Sequence, residues 1–530
     1  MAEEVDALIV GGGMSGLSSA LFLAHHGVSW LLVERHENHS VHPRLSGLFP
    51  RVMEVLRGVG LEQAIRNLDE FDGNGGSFLR AETLAGREIE FNPDLNEESD
   101  AHTVTPAPAA ICDQDQVEPL LRSRAVELGA DIRFGTELTA FDPDEDGVTA
   151  VLESGGEKTT VRAAYLLACD GDRSPIRERL GIHRSGPGVL AHQLGVLFRA
   201  DLSEALRGRR IRICLTDRPH GGSLHVRTGN RWGFGVRFDP ERERVADFTE
   251  ERCAELIRTA SGLPELKPEI LHVMPWRISA LLADHFRQGR VFLVGDAAHV
   301  WPATGGYAGQ ACVLDAHNLA WKLAEVLRGA AGPRLLDSYE TERKPVAEVS
   351  TRDSLARMVW FHRRAADRAE KSDSAPTGSP EDHLTVAMGY RYHSAAVLGG
   401  SDGADLLENP RTPSGLPGTR APHVTLGRDG ELLSTLDLFG TGFVLLAGEQ
   451  GEPWTRAAHG LSGVTGYRVG EGGDLSDVDK VWAARYGITE EGAVLVRPDG
   501  HIGWRAMRQG GAPEVELARA LAEIRGRIAA

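Results

Sequence analysis

The sequence predicts an α/β protein, α+β overall. A Rossmann-like nucleotide-binding fold carries an inserted antiparallel sheet and is followed by a C-terminal α/β domain. Three observations support this prediction. A strand, a glycine-rich turn, a helix and a second strand follow one another over residues 5–34. Polar and apolar residues alternate in several runs within 183–281, which is typical of antiparallel strands. Further apolar runs follow a Pro/Gly-rich stretch at 409–422.

The first two strands are short and apolar, as expected for parallel strands that helices cover on both faces. Gly27 is placed to end the helix between them. The predicted elements of this part are strands over Val5–Val10, Ser29–Glu34 and Val291–Val294 and helices over Leu17–His26 and Gln310–Arg328.

The inserted layer follows from period-two alternation and a turn at 228–230. Its predicted strands are Gln193–Phe198, Ile211–Leu215, Leu224–Arg227 and Trp232–Phe238. Residues 363–382 are charged and then rich in Ser, Pro and Gly, which predicts a surface linker. After it we predict strands over Phe443–Leu446, Gly466–Val469 and Ala493–Val496 and a last helix over Pro513–Ile528.

These elements predict four parts of the chain. Residues 1–182 and 282–350 form the nucleotide-binding domain, and 183–281 form the inserted, substrate-binding domain. Residues 351–404 form a helical connection and linker, and 405–530 form the C-terminal domain.

Composition excludes several classes of function. The net charge of −18 argues against binding nucleic acid or an anionic membrane, and no apolar run is long enough for a transmembrane helix. The N-terminus is acidic, unlike a signal peptide. The five cysteines form no CxxC pair, so neither a disulfide framework nor a metal site is expected, and a reducing cytoplasm fits best.

The first motif is a dinucleotide-binding fingerprint. Gly11, Gly13 and Gly16, with Met14 and Ser15 between them, form GxGxxG between a strand and a helix. Glycines there permit a tight turn, close approach of a pyrophosphate and close helix–strand packing. Glu34, 23 residues after the first glycine, can accept the ribose hydroxyls. The fingerprint alone does not separate NAD from FAD.

Two further motifs favour FAD. Gly295-Asp296 ends an apolar strand, where a carboxylate can hold a polyol such as the ribityl chain of a flavin. A Gly-rich turn over 304–310 then opens the long helix, whose N-terminus would stabilise negative charge on a reduced flavin. Asp170, in a DGDRS segment with Arg177 nearby, again follows an apolar strand.

These motifs resemble those of the class A FAD-dependent aromatic hydroxylases, the p-hydroxybenzoate and phenol hydroxylase superfamily. The matching segments are GGGMSGL, DGDRSPIR and GDAAHVWPATGGYAGQACVLDAHNLAWKLA. The segments GYRYHSAAVL, NPRTPSGLPGTRAPH and STLDLFGTGFVLLAGE are similar to the polyketide-tailoring branch, which includes aklavinone and angucycline hydroxylases. That resemblance implies a thioredoxin-like C-terminal domain, here without cysteine and therefore redox-silent.

The resemblance also implies roles for single residues. It places non-covalently bound FAD against the fingerprint and the two further motifs, and it assigns catalytic roles to Arg44, Pro302 and Arg391. Two departures are Gln310, where relatives often carry Asn, and Leu45, where they often carry a small residue. The cofactor-binding residues implied are Gly11, Gly13, Met14, Ser15, Gly16, Glu34, Arg35, Arg44, Gln114, Asp170, Asp296, Pro302, Gly306, Gly309 and Gln310.

The activity implied is hydroxylation of a polycyclic aromatic polyketide, in antibiotic or secondary-metabolite biosynthesis. NADPH or NADH would reduce FAD, and O2 would form a flavin C4a-hydroperoxide that transfers one oxygen atom. Baeyer–Villiger or epoxidising chemistry on the same substrates, and a reductase without oxygen transfer, stay open. So does a non-enzymatic FAD-binding protein. A monomer or homodimer is expected.

Several residues keep two interpretations. His299 is either a proton relay or a packed residue behind the loop, and Asp170 with Arg177 is either a cofactor site or an ion pair. Arg391 and His393 are either substrate contacts or surface charges. Aromatic residues of the inserted sheet are either cavity wall or plain packing, and its small residues either leave room for several rings or serve packing. These residues are Trp232, Phe234, Phe238 and Trp276, and Gly195, Gly222, Ser223, Gly233 and Gly235.

Overall fold

The computed structural model describes residues 3–71, 76–92, 100–129, 131–218, 221–370, 380–400 and 405–527. Its first third, up to residue 182, contains ten strands and five α-helices among these residues. The strands are β1 (Glu3–Val10), β2 (Trp30–Glu34), β3 (Ser46–Leu48), β4 (Ser77–Ala81), β5 (Glu88–Asn92), β6 (Ala110–Asp113), β7 (Asp131–Phe134), β8 (Thr136–Pro143), β9 (Val148–Ser154) and β10 (Glu157–Ala168). The helices are α1 (Met14–His25), α2 (Pro50–Gly58), α3 (Glu62–Arg66), α4 (Gln114–Glu127) and α5 (Pro175–Arg179).

The rest of the described chain alternates strands with helices of very different length. The strands are β11 (Arg184–Arg199), β12 (Ile211–Thr216), β13 (Ser223–Arg227), β14 (Arg231–Phe238), β15 (Glu269–Ala283), β16 (Arg287–Gln288), β17 (Val291–Leu293), β18 (His299–Val300), β19 (Thr425–Arg428), β20 (Glu431–Ser434), β21 (Phe443–Ala447), β22 (Val464–Arg468), β23 (Ser476–Asp477), β24 (Ala493–Val496) and β25 (Ile502–Ala506). The helices are α6 (Ser203–Leu206), α7 (Glu250–Ser261), α8 (Tyr307–Leu327), α9 (Ser338–Glu370), α10 (His383–Met388), α11 (Glu452–His459), α12 (Trp482–Tyr486) and α13 (Pro513–Ile524).

The first sheet is the Rossmann-like one. Its order is β16-β17-β10-β1-β2-β7, with β9 added beside β10 and β8 beside β9. The neighbours from β17 through β7 are parallel, so their carboxyl ends lie at one edge. That edge is where nucleotides bind in such folds. It collects the Gly11 turn, Glu34, Asp170 and the Gly295-Asp296 turn, and the three predicted motifs therefore converge.

The second sheet is larger than the predicted insertion. Its order is β18-β15-β11-β14-β13-β12-β4-β5. The strands within 183–281 are antiparallel, as predicted, but β4 and β5 come from residues 77–92 and β4 pairs with β12 in parallel. One face packs on α7 through a buried apolar cluster. The opposite face of the sheet lines a cavity.

The C-terminal part has the thioredoxin-like fold that was predicted. Its sheet has the order β22-β21-β24-β25, with β21 and β22 parallel and the other two pairs antiparallel. Helices α11 and α13 pack on each other beside it. The five cysteines all lie at or before Cys312, are buried and form no disulfide.

The predicted linker at 363–382 is partly wrong. Helix α9 continues to Glu370, because its charged and Ala-rich end keeps good helix formers where we had expected a loop. Residues 371–379 of that prediction lie outside the described residues. Within the described residues, none of the helices is long and apolar enough to cross a membrane.

A buried ionic cluster joins the C-terminal part to α8 and α9. Glu342 of α9 accepts from Lys322 of α8 at 2.7 Å and from Arg497 at 2.6 Å. Arg497 also pairs with Asp499, and all four side chains are nearly fully buried. Removing one partner of such a cluster leaves an uncompensated buried charge, so the cluster fixes how the parts pack.

Candidate active site

One cavity of about 1470 Å³ lies between the carboxyl edge of the first sheet and the open face of the second. Ligand cavities are usually about 300–1000 Å³, so this volume has room for more than one ligand. Most of the predicted cofactor-binding residues line it. They are Gly11, Gly13, Met14, Ser15, Glu34, Arg35, Arg44, Gln114, Asp170, Asp296, Pro302, Gly306 and Gly309.

The turn after β1 has the geometry that the fingerprint requires. Gly11 has φ +111°, and a Cβ there would collide with the carbonyl oxygen of Cys169. A Cβ on Gly16 would collide with the carbonyl of Gly11, so this glycine lets α1 approach the strand and does not itself line the cavity. No side chain caps the N-terminus of α1 at Gly13. Its N–H groups thus face the cavity and suit a phosphate.

Glu34 lies at the end of β2, where it lines the cavity. Its Oε2 accepts from the Gly12 N–H at 2.6 Å, and its Oε1 accepts from the His36 N–H at 2.9 Å. Burial alone would raise the pKa of Glu34, but these hydrogen bonds lower it below its ordinary value, so the carboxylate is charged. Arg35, beside it, is exposed.

Asp296 occupies the turn after β17, where it is half-buried at the cavity wall. Burial raises its pKa, and the Cys312 thiol donates to it at 3.8 Å. Asp315 of α8 binds this turn through two hydrogen bonds, accepting from the Gly295 N–H at 3.2 Å and from His299 at 2.7 Å. His299 also stacks on the Trp301 ring and does not line the cavity, which is the packed position rather than a relay.

Asp170 and Arg177 do not form the ion pair that was one of the two interpretations. Arg177 donates to the carbonyl of Ala297 at 2.9 Å, which ties the DG segment to the Gly295-Asp296 turn. Asp170 accepts from the Ile176 N–H at 3.2 Å through Oδ2. Its Oδ1 is buried and has no hydrogen-bond partner among the described residues, and burial raises its pKa. A buried acceptor without a partner at a cavity wall can accept a hydrogen bond from a hydroxyl group of a ligand.

The loop after Pro302 is held in place by a side chain and a ring. Gln310 donates to the Gly47 carbonyl at 2.9 Å and accepts from the Phe49 N–H at 3.0 Å. Its buried amide therefore joins α8 to the 46–49 segment and does not line the cavity. His383 donates to the Gly305 carbonyl at 2.9 Å and stacks on Tyr307. Sequence analysis missed His383, since it directly follows the predicted linker and has no motif around it.

The start of α8 lines the cavity with its backbone uncapped. Gly306 is its N-cap with φ +71°, and no side chain caps the helix. Gly309 has no room for a Cβ, because Leu45 lies against it. The large Leu45 therefore fills space between the 44–49 segment and α8.

Arg44 and Gln114 line the cavity next to Leu45. The Arg44 guanidinium is exposed and reaches the Met274 sulfur at 4.0 Å. Gln114 donates from its backbone to the Leu45 carbonyl at 3.2 Å and from its side chain to Glu118 at 2.7 Å. Glu118, which sequence analysis missed, is buried near Gly13.

For three glycines of the second sheet the structure decides between the two interpretations in favour of packing. A Cβ on Gly195 would press on His42, one on Gly233 on Arg227, and one on Gly235 on Gln193. These three glycines lie outside the cavity lining and serve the packing of long side chains across the strands. Gly222, Ser223 and Trp276 do line the cavity, whereas Trp232 and Phe234 belong to the core on the other face.

The structure places Arg391 outside the cavity lining, so a catalytic role for it stays a prediction. The side chain is buried, donates to Glu408 at 2.8 Å and is not among the residues that line the cavity. The partner lies 17 residues away on a separate segment, so the motif gave no sign of it. His393 is exposed and also lies outside the lining.

The donor set fits FAD. An uncapped helix N-terminus, a charged Glu34 beyond it, the unpartnered Asp170 oxygen and a half-buried Asp296 lie along one wall. These groups suit, in turn, a pyrophosphate, a ribose and a polyol chain. The open start of α8 and the 44–49 segment then leave space for a ring system. No group of three His, Cys, Asp or Glu side chains in the described part of the chain could hold a metal ion.

Comparisons with known proteins agree with this geometry. The model of the FAD binding domain matches residues 4–354, and that of the aromatic-ring hydroxylase C-terminal domain matches 414–527. The tetracenomycin A2 monooxygenase-dioxygenase of Streptomyces glaucescens is 43% identical, over 95% of this chain and 94% of its own. A 4-methyl-5-nitrocatechol 5-monooxygenase of a Burkholderia species is 40% identical, over 98% of this chain and 97% of its own.

Among solved structures, the chain resembles aklavinone-11 hydroxylase, crystallised as a ternary complex with FAD and aklavinone. The TM-score is 0.90 and the sequence identity 41%. The match covers 99% of this chain and 100% of that one.

Proposed function

This chain belongs to the FAD-dependent aromatic-ring hydroxylases, and we propose that it hydroxylates a polycyclic aromatic polyketide in antibiotic or other secondary-metabolite biosynthesis. The chain is thus an FAD-dependent monooxygenase. The overall reaction combines the aromatic substrate, O2, NAD(P)H and a proton. It yields the hydroxylated substrate, water and NAD(P)⁺. One oxygen atom enters the product and the other leaves as water.

The observation that carries the proposal is the continuous cavity. It runs from the nucleotide turn at Gly11 to the wall formed by the second sheet, where Trp276 and Ile278 offer apolar surface. Its volume exceeds the usual range for one ligand, as a site for FAD and a multi-ring substrate must. A relative that acts on tetracenomycin A2 and a structure with bound aklavinone support the same substrate class.

Bound FAD supplies the redox chemistry, taking a hydride from NAD(P)H and activating O2. The protein supplies binding, orientation and exclusion of water. We propose that the α1 N-terminus binds the pyrophosphate, Glu34 the adenosine ribose, and Asp170 and Asp296 the ribityl chain. Arg44 and Gln114 would contact the cofactor from the opposite side.

Pro302 and the loop up to Gly309 would border the ring where oxygen is transferred. Pro302 is buried and carries no N–H, so it adds no donor that would hold water at that point. The carbonyl of Gly305 is already engaged by His383. A cavity closed to water favours oxygen transfer over release of hydrogen peroxide.

A second candidate is hydroxylation of a single-ring phenol or catechol. The nitrocatechol monooxygenase favours it, because it matches nearly the whole chain. The discriminating experiment measures NADPH oxidation coupled to product formation with tetracyclic phenols and with monocyclic catechols. Tight coupling with polycyclic compounds supports our proposal. Coupling with simple catechols alone would replace it with the second candidate.

Fragmentation of the product separates the remaining chemistries. Hydroxylation, ring expansion and epoxidation all add one oxygen atom. The site of oxidation, read from the fragmentation of the product, therefore decides among them. The cytoplasmic location, the monomeric or homodimeric state and the four-part domain division stay proposals, of which light scattering in solution tests the assembly state.

A further inference from the structure

Strand β12 contains a bulge that aims one arginine at the cavity. In its pairing with β4, Ile211 lies opposite Ser77 and Ile213 lies opposite Phe78, so Arg212 is an extra residue. Successive residues of a regular strand point to opposite faces, but Arg212 and Ile213 both line the cavity. Bulges beside active sites re-aim side chains in this way.

The charge of Arg212 has no ionic counterpart in the described part of the chain. Its Nη2 donates to the Ser46 carbonyl at 2.5 Å, at the segment that leads to Gly47. Burial, and then the neighbouring charge of Arg227, lower the pKa of the guanidinium. An arginine nevertheless stays protonated in a protein. Arg212 is therefore a positive charge of the cavity wall that has no ionic partner among the described residues.

Other arginines of the same wall are neutralised. Arg227 donates to Asp113 at 3.1 Å, and Arg80 pairs with Asp217 at 3.2 Å. Asp113 also accepts from Thr228 and Arg231, and it forms no ion pair with Arg212, on which it acts only through space.

Two further neighbours of Arg212 are uncharged, and a third is a carboxylate that does not pair with it. Burial, with Arg227 and Arg212 nearby, lowers the pKa of His225 to about 3, so its ring is neutral at pH 7. Burial raises the pKa of Cys112 to about 12, so that thiol is neutral too. Asp69 acts on Arg212 only through space.

We propose that Arg212 is the specificity-determining residue that binds an ionised hydroxyl oxygen of the aromatic substrate. The inference rests on the proposed function and names the feature of the substrate that its site selects. A half-buried cation without an ionic partner gains more from an anionic oxygen than from a neutral hydroxyl. The hydroxyl proton leaves to solvent on binding. The resulting phenolate or enolate is richer in electrons and is a better acceptor of an electrophilic oxygen atom.

The test measures the pKa of a bound ligand. A hydroxyanthraquinone changes its visible absorption when its hydroxyl ionises, so it serves as the probe on FAD-loaded protein without reductant. In the wild type we expect its pKa to lie at least one unit below that of the free compound, a tenfold change in ionisation. Arg212→Met is expected to return the pKa to the free value, and Arg212→Lys to keep part of the shift.

Arg80→Met is the matched control, because Arg80 lines the same wall but is neutralised by Asp217. It is expected to keep the wild-type pKa of the ligand. An unshifted pKa in the wild type, an unchanged shift in Arg212→Met, or an equal loss in Arg80→Met would each overturn the inference.

Two further measurements distinguish the proposed role of Arg212 from other roles of its charge. If Arg212→Met weakens binding of anthraquinone-2-carboxylate and leaves the hydroxyl pKa unchanged, Arg212 binds a carboxylate and the inference is wrong. It is also wrong if the variant changes only the reduction potential of FAD. Failure of every polycyclic phenol to bind overturns the proposed function itself. Binding and hydroxylation without a pKa shift overturn only the role of Arg212.

Discussion

Oδ2 of Asp315 lies 2.7 Å from Nε2 of His299, and both side chains are about 1% exposed. The same carboxylate accepts from the Gly295 N–H at 3.2 Å and from Arg343 at 2.7 Å. One buried group on α8 thus fixes the turn that carries Asp296. The cofactor motif therefore depends on a residue that lies 19 positions after Asp296 in the sequence.

The pH dependence of the stability of the protein tests this role of Asp315. Burial acts to raise the pKa of Asp315, but Arg343 and His299 lower it to about 2, below its ordinary value of about 3.9. A lowered pKa stabilises the fold above about pH 4, and that contribution is lost as the pH falls toward 2. We expect Asp315→Asn to remove about 2.5 kcal/mol of pH-dependent stability in that window.

The measurement is the free energy of unfolding of wild type and Asp315→Asn at several pH values between 2 and 5. The two curves should converge at low pH. Parallel curves would show that Asp315 has an ordinary pKa in the folded protein.

Asp296→Ala should weaken FAD binding. A hydrogen bond to a charged group contributes about 1.5–3 kcal/mol, which is roughly tenfold to a hundredfold in affinity. Fluorescence titration of the FAD-free protein measures it. Asp217→Ala is the control, since that carboxylate lies on the far wall and pairs with Arg80. Equal affinities in the wild type and Asp296→Ala would remove Asp296 from the site.

Gln310→Ala should destabilise the protein even without FAD. The change leaves the Gly47 carbonyl and the Phe49 N–H without their partner, at a cost of about 1–3 kcal/mol. Gln310→Asn should lose a similar amount, because its chain is one methylene shorter and cannot keep both hydrogen bonds. Thermal unfolding of the FAD-free variants tests this. An Asn variant as stable as the wild type would show that the bridge is dispensable.

Glu342→Gln should loosen the junction between the C-terminal part and the rest. The change leaves Lys322 and Arg497 with an incomplete set of negative partners, and breaking a buried pair costs about 3–5 kcal/mol. Urea unfolding followed by tryptophan fluorescence measures the loss. Glu3→Gln is the control, because its pair with Arg133 is exposed and worth less than about 1 kcal/mol. Similar losses in both variants would argue against a structural role of the cluster.

The sequence predicted the nucleotide turn well because its chemistry is local. Gly11 and Gly16 are needed for a turn and a close packing that a short segment specifies by itself. Asp296 was found for the same reason, since it follows its strand directly. The strands of the inserted sheet were also predicted, because alternation along one strand records which face is buried.

Contacts between distant segments could not be predicted. Arg212 is aimed by a bulge that exists only in the pairing of β12 with β4, more than 100 residues earlier. The partner of Arg391, Glu408, lies on another segment, and the motif around Arg391 does not predict it. The end of α9 could not be distinguished from a linker, since charged and Ala-rich composition suits a solvated helix as well as a loop.

The most direct test of the account measures oxygen uptake and NADPH oxidation by the FAD-loaded protein with a panel of polycyclic phenols. Mass analysis under ¹⁸O2 then follows the fate of the oxygen. We expect NADPH consumption to depend on a polycyclic substrate and the product to gain one ¹⁸O atom in a new hydroxyl group. NADPH oxidation that yields only hydrogen peroxide with every polycyclic phenol, or a product without ¹⁸O, would contradict it.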